Sequence, residues 1–277
     1  MAYAIEVRNE KKFSLKDINP DHHAGLSRDE GEKKTAELGK RFWDLMDLHY
    51  ASGSESLLIV LQGRDTAGKD GLIRDLLGFI NPQSVTVCPF KVPTAEELGH
   101  DFLWRVHKAA PRKGYTAIFN RSHYEDVLAV RVHELAPKSV WSSRYDQINN
   151  FEELLTDNKT ILLKFCLHIS KDEQAERLKA REAEPSKAWK LSVGDWKERE
   201  FWDNYTEAYD DVLTKCGTKI APWYVIPANH KWFRTLAVVE QIVTTLEPYE
   251  KRWREELGAI GEAALKAIKE YRMTGQV

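Results

Sequence analysis

Cysteine is scarce: only Cys88, Cys166 and Cys216 occur in 277 residues, far apart and without a Cys-x-x-Cys pair. That usage supports neither a disulfide framework nor a zinc site. An excess of charge of one sign is also lacking, with a formal net charge of −2. No global basic field announces nucleic acid or a membrane as partner, so partners must be read locally. No stretch approaches about 18 uninterrupted apolar residues, and the opening MAYAIEVRNEKKF has no long apolar core. Neither a membrane span nor a secretory leader is therefore expected, and the cytoplasm is the expected location. There is no internal repeat and no low-complexity tract. The length suits one large domain with appendages.

What is present is concentrated between residues 56 and 80. Leu57, Leu58, Ile59, Val60 and Leu61 form the short continuous apolar run of a strand buried on both faces of a parallel sheet. Gly63-Arg64-Asp65-Thr66-Ala67-Gly68-Lys69 follows with the spacing of a phosphate-binding loop, and Leu72, Ile73, Leu76, Leu77 and Ile80 then recur at helical spacing. Gly63 and Gly68 permit the tight turn that aims successive N–H groups at an anion, on the positive end of the next helix. Lys69 adds a mobile cation, expected to be exposed. The bland alternative is a strand-to-helix turn with a solvated lysine. Asp70 stands where Ser or Thr usually offers magnesium a hydroxyl; a carboxylate there favours the helix start and is not assigned the metal. Asp65 is the metal candidate, because a carboxylate facing bound phosphates is tolerable mainly with a cation between them.

Along the chain, residues 1–34 read as an irregular arm, 35–254 as a phosphate-loop phosphotransferase domain, and 255–277 as a helical tail. The arm is free to pack on the core or on a partner subunit. Residues 35–50 form a helix with His49 as a packed histidine on its apolar face. Strands expected at 84–90, 115–119, 160–169 and 223–227 alternate with helices at 94–110, 141–156, 196–216 and 232–253. The class is α/β: a parallel sheet flanked by helices on both faces, P-loop kinase-like, with a helical lid. The lid assignment covers residues 182–200, where Pro185, Gly194, Lys187 and Lys190 fit a solvated connection and a mobile lid equally well.

Ligands of such sheets sit at the carboxyl ends of the strands. The third strand ends at Asn120, where phosphate-loop enzymes usually carry an acidic residue that positions magnesium. Arg121 beside it can fork onto phosphate oxygens. Lys91 lies on the same edge, and Arg177 and Arg181, one helical turn apart, precede the suspected lid. These cationic clusters converging on a phosphate loop point to a site for several phosphates.

GRDTAGKDG (63–71), FKVPTAEELGHDFLWR (90–105), FNRSHYEDV (119–127) and KAWKLSVGDWKER (187–199) resemble the polyphosphate kinase 2 family, and FNRSHYEDV resembles its third class. The resemblance covers residues 35–248. It implies a magnesium-dependent transfer of phosphoryl groups between inorganic polyphosphate and AMP or ADP, giving ADP and ATP. It implies that the loop glycines and Lys69 hold transferring phosphates, that Asp65 coordinates Mg2+, and that Arg121 contacts phosphates. Basic residues like Lys91, Arg131 and Arg177, with Arg181 nearby, are expected along the polyphosphate path. Many members have aspartate where this chain has Asn120, so a second metal contact is not carried over. Asn120, Glu125 and Asp126 lie where the classes differ and are expected to govern acceptor selectivity. His123 is expected to be structural rather than a phosphohistidine. Family members are usually homo-oligomers, so a dimer or tetramer is expected, with the arm, the tail and several of the nine tryptophans available to an interface. The rival readings are an ATP-dependent nucleotide or small-molecule kinase and a nucleotide-switched binding protein.

Overall fold

The computed structural model describes residues 2–9, 12–185 and 192–273. Six strands form one sheet: β1 (Ile5–Val7), β2 (Ser56–Gly63), β3 (Val85–Pro89), β4 (Thr116–Asn120), β5 (Thr160–His168) and β6 (Trp223–Pro227). Their order is β1-β6-β5-β2-β4-β3, and every neighbouring pair is parallel except β1 with β6. The expected parallel sheet is thus present, with one antiparallel edge strand that its three-residue length hid from pattern reading. Every residue of β2 and β5 is buried, which is why both read as continuous apolar runs.

The period of two along β2 sorts its side chains between two cores. Leu57, Ile59 and Leu61 face α1 (Arg28–Ser52), α2 (Lys69–Leu77) and α11 (Lys231–Leu246), through residues such as Phe42, Leu72 and Leu236. Leu58 and Val60 join the opposite cluster, with Ile148 of α7 (Arg144–Asp157) and Val212 of α10 (Trp202–Cys216).

Several helices depart from their expected bounds. A capping box of Ser27 and Glu30 starts α1 at Arg28 rather than near residue 35. The helix expected over 94–110 is two: α3 (Ala95–Leu98), opened by the Thr94–Glu97 capping box, and α4 (Trp104–Ala109). Asp101 accepts from the Leu103 amide between them, offering the chain a local turn in place of a continued helix. At the C-terminus α12 (Glu250–Met273) runs through residue 254, so the tail continues a helix begun inside the domain. The arm packs on the core: Leu15 is buried, and its amide donates to Asp210 of α10. His49 is buried against Trp253, as the packed reading expects.

Candidate active site

Strand register brings the site together. Leu61 lies beside Asn120, Gly63 beside Leu167, and His168 beside Pro227, so the loops after β2, β4, β5 and β6 leave from one edge. Gly63 is required there, since a Cβ would lie 2.8 Å from the Leu167 carbonyl oxygen. Gly68 has φ of 101°, a conformation that favours glycine.

The loop is held from outside by its own carbonyls. Lys69 Nζ donates to Gly63 O at 2.6 Å and Arg64 O at 3.2 Å. Gln174 of α8 (Lys171–Glu182) donates to Asp65 O at 3.1 Å, and Arg177 of the same helix to Thr66 O at 2.9 Å. Arg234 of α11 donates to Gly68 O at 3.0 Å. Because C=O and N–H point to opposite sides of a trans peptide, carbonyls held this way leave the N–H sides for an anion.

Lys69 is not the exposed cation expected: it is 8% exposed and folded back on the loop. Burial, followed by the nearby Arg121 charge, brings its ammonium down to about 8. Arg177 does stand in the groove wall, but its guanidinium is engaged by Glu173 and by the carbonyls of Thr66, Ala228 and Asn229. It braces the loop rather than reaching into open groove.

Two cavities meet at this loop. One, of about 460 Å³, is a cationic groove lined by Lys69, Arg74, Arg177, Arg181, Lys231 and Arg234, with Asp65, Asp70 and Asp75. The other, of about 350 Å³, is lined by Arg64, Arg121, Glu125, His133, Trp202, Tyr205 and Tyr209, and is closed over by Gly194, Asp195 and Glu198. Gly194 and Asp195 belong to α9 (Val193–Lys197), within the suspected lid, and Asp195 pairs with Arg181 at 2.6 Å. Asp65 lines both cavities.

Arg121 takes a left-handed backbone, φ of 62°, and its side chain stands 3.5 Å from Glu125. The following segment is pinned in the core. Ser122 accepts from Gln62 at 3.3 Å, and Tyr124 donates to Glu152 at 2.7 Å. Glu152 also receives Lys164 at 2.6 Å and lies 3.3 Å from His123, which fits the structural role expected of that histidine.

Among the described residues, other expected ones are not brought into either cavity. Arg131 pairs with Asp211 and Tyr145, and lies over Trp141. Asp126 is drawn off by Arg144 at 2.9 Å, leaving Glu125 alone of that pair in the wall. Lys91 is exposed after the edge strand β3. Lys187 and Lys190 lie outside the described residues. Asn120 donates to Asp70 at 2.9 Å.

Conversely, the structure adds Arg64 and Arg234, both buried. Arg64 lies 3.9 Å over the Trp202 ring, and Arg234 is lowered to about 10 by burial despite Asp75 at 3.0 Å. Arg64 sat inside the glycine motif and was readable there. Arg234 comes from a helix far along the chain and carries no local signature.

The residues present suit a divalent cation of the magnesium type. Asp65 Oδ2 is buried, accepts no hydrogen bond, and lies 3.6 Å from Arg181. Among the described residues no three His, Cys, Asp or Glu side chains form a metal-holding group. One carboxylate completed by substrate phosphates and water is how magnesium is commonly bound.

A glycine loop between a buried strand and a helix, on a parallel sheet flanked by helices, defines a P-loop phosphotransferase. A sequence model of the polyphosphate kinase 2 family matches residues 25–254, and the chain belongs to that family. It is 48% identical over 246 residues to an AMP/ADP-polyphosphate phosphotransferase of Meiothermus ruber, covering 87% of this chain and 91% of that one. It is 44% identical over 228 residues to an ADP-polyphosphate phosphotransferase of Rhodopseudomonas palustris, covering 78% and 79%. The crystal structure of polyphosphate kinase 2 from Arthrobacter aurescens TC1 superposes with a TM-score of 0.85 at 42% identity, covering 88% of each chain.

Proposed function

We propose that this enzyme transfers phosphoryl groups between inorganic polyphosphate and AMP or ADP, with Mg2+, to make ADP and ATP. The observation that carries the reading is the pair of cavities joined at Asp65, one a cationic groove, the other walled by Trp202, Tyr205 and Tyr209. A polyanion of many phosphates suits the first, and a nucleoside with a short phosphate chain suits the second.

Transfer is direct. An oxygen of the acceptor's terminal phosphate bonds to the terminal phosphorus of polyphosphate as the bridging P–O bond breaks, with the leaving oxygen remaining on the shortened chain. Lys69, the loop N–H groups and Arg121 neutralise charge on the oxygens of the group in flight. Asp65, with the substrate phosphates, would hold Mg2+, which would supply further charge neutralisation. Arg177, Gln174 and Arg234 keep the loop in shape, Arg181 and Lys231 receive the chain in the groove, and the exposed Lys91, outside the groove, meets only the distal part of a long chain. Asn120 and Glu125 shape acceptor choice. The described lid residues exclude water by closing on the nucleotide side.

We infer a homo-oligomer that works in the cytoplasm, with its nucleotide acceptors. Among the described residues no helix is long and apolar enough to cross a membrane. Initial rates with long-chain polyphosphate as sole donor, and AMP or ADP as separate acceptors, test the reading. ATP from ADP and ADP from AMP are expected, and a requirement for ATP as donor would favour an ordinary nucleotide kinase.

A further inference from the structure

A third cavity adjoins the cationic groove at the first turn of α11. It is a slot of about 620 Å³ between Trp232 and Phe79, with Thr35 and Ala36 of α1 along its floor and Glu32 at its rim. The helix is adapted to hold both rings. Gly31 lies against the Trp232 ring and Gly39 against the Phe79 ring, and a Cβ at either position would collide with it. Glycine is disfavoured inside helices, and here it lets two aromatic walls close on the backbone. Gly31 and Gly39 are about 12 Å apart along the helix axis, and Thr35 and Ala36 line the slot between them.

Aromatic walls with hydrogen-bonding groups at the edge suit a planar heteroaromatic base. The slot also borders the groove, since Asp75 and Lys231 line both. Asp75 lies about 9 Å along α2 from Lys69, and Arg74 and Arg234 line the groove between slot and loop. A ligand with its base in the slot therefore has a cationic path for its phosphates to the loop.

Resting on the reading of that groove as the donor site, we propose that slot and groove together bind a nucleoside di- or triphosphate as phosphoryl donor. The protein then also exchanges phosphoryl groups between nucleotides with no polyphosphate present. An oxygen of the AMP phosphate forms a bond to the γ-phosphorus of ATP, and the bond from that phosphorus to the β–γ bridging oxygen breaks. The electron pair stays on the β-phosphate, both products are ADP, and no further reactant is needed. In reverse, two ADP give ATP and AMP.

The test uses the full chain, freed of carried-over polyphosphate by exopolyphosphatase, with ADP and magnesium alone, and nucleotides separated by chromatography. ATP and AMP should appear in equal amounts, and Lys69→Ala should abolish the exchange, which excludes a contaminating kinase. Ala36 is exposed on α1, so Ala36→Trp fills the slot without entering the core. It should lower the ADP exchange at least tenfold while polyphosphate-driven ADP phosphorylation stays within twofold. No AMP from ADP alone, under conditions where polyphosphate drives ATP formation, overturns the proposal. So does an Ala36→Trp variant that keeps the exchange or loses both activities in parallel. If polyphosphate drives no ATP formation at all, the reading of the groove fails, while the ADP exchange is still judged by Ala36→Trp.

Discussion

Asn120 Nδ2 donates a hydrogen bond to Asp70 Oδ1 at 2.9 Å, joining the end of β4 to the first turn of α2. The two positions that depart from the common phosphate-loop pattern thus contact each other, and the neutral amide accommodates the carboxylate. Asn120→Asp would set two carboxylates at hydrogen-bond distance, where both ionise readily only with a cation beside them. The variant should reach half-maximal rate at lower magnesium and should change its ratio of AMP to ADP phosphorylation. A magnesium titration and ratio both superimposable on the parent's would remove Asn120 from acceptor choice.

Lys69→Ala should lower the transfer rate on the order of 10²-fold or more, as expected for one lost transition-state charge. The parent's pH profile gives a second check. A lysine at about 8 in the free enzyme is charged below that pH and neutral above it. Bound phosphate favours the charged form, so binding takes up a proton above pH 8 and weakens there. The kcat/KM for polyphosphate should be level through neutral pH and fall above about 8. A profile level to the ordinary lysine range would contradict the buried environment.

Arg177 and Arg181 should separate. Arg177→Ala frees the Thr66, Ala228 and Asn229 carbonyls, so it should impair AMP and polyphosphate use together. Arg181→Ala and Lys91→Ala should weaken long polyphosphate selectively. By analogy with counterion release, each should flatten the salt dependence of polyphosphate affinity by roughly one ion. Equal effects of Arg177→Ala and Arg181→Ala on both substrates would erase the distinction.

How much was legible follows from how local each signal is. The β2–loop–α2 unit was readable because buried-strand run, glycine spacing and helical period are adjacent in the chain. The expectation for Arg177 placed the residue but missed its bonds, since Ala228 and Asn229 are brought to it by β6. Asp126 sits in a matching motif and Arg131 four residues beyond its end, but their side chains are decided by Arg144 and Asp211, partners that spacing does not reveal. The arm was too polar to read, and its fixed points, such as Leu15 on Asp210, are contacts distant in sequence.

The buried Glu152–Lys164 pair carries a stability prediction. Burial alone would raise the Glu152 carboxyl, but Lys164 and His123 outweigh it and hold it below its ordinary value. Glu152→Gln leaves Lys164 charged and buried, and should cost roughly 3–5 kcal/mol by urea unfolding at neutral pH. The pair's contribution is full above the ordinary value of 4.5 and is lost as pH falls through the lower folded-state value. A loss below about 1 kcal/mol would mean that the pair adds little beyond a surface salt bridge.

Phosphoryl groups pass directly from polyphosphate to the acceptor across the loop that borders both cavities. The most direct test is a single-turnover reaction with radiolabelled long-chain polyphosphate, excess enzyme, magnesium and ADP, quenched and separated by chromatography. Label should appear in the γ-phosphate of ATP, with none retained on denatured protein, and transfer should be lost in Asp65→Asn and Lys69→Ala. Label trapped on the protein, or ATP formation unaffected by both substitutions, would contradict direct transfer across this loop.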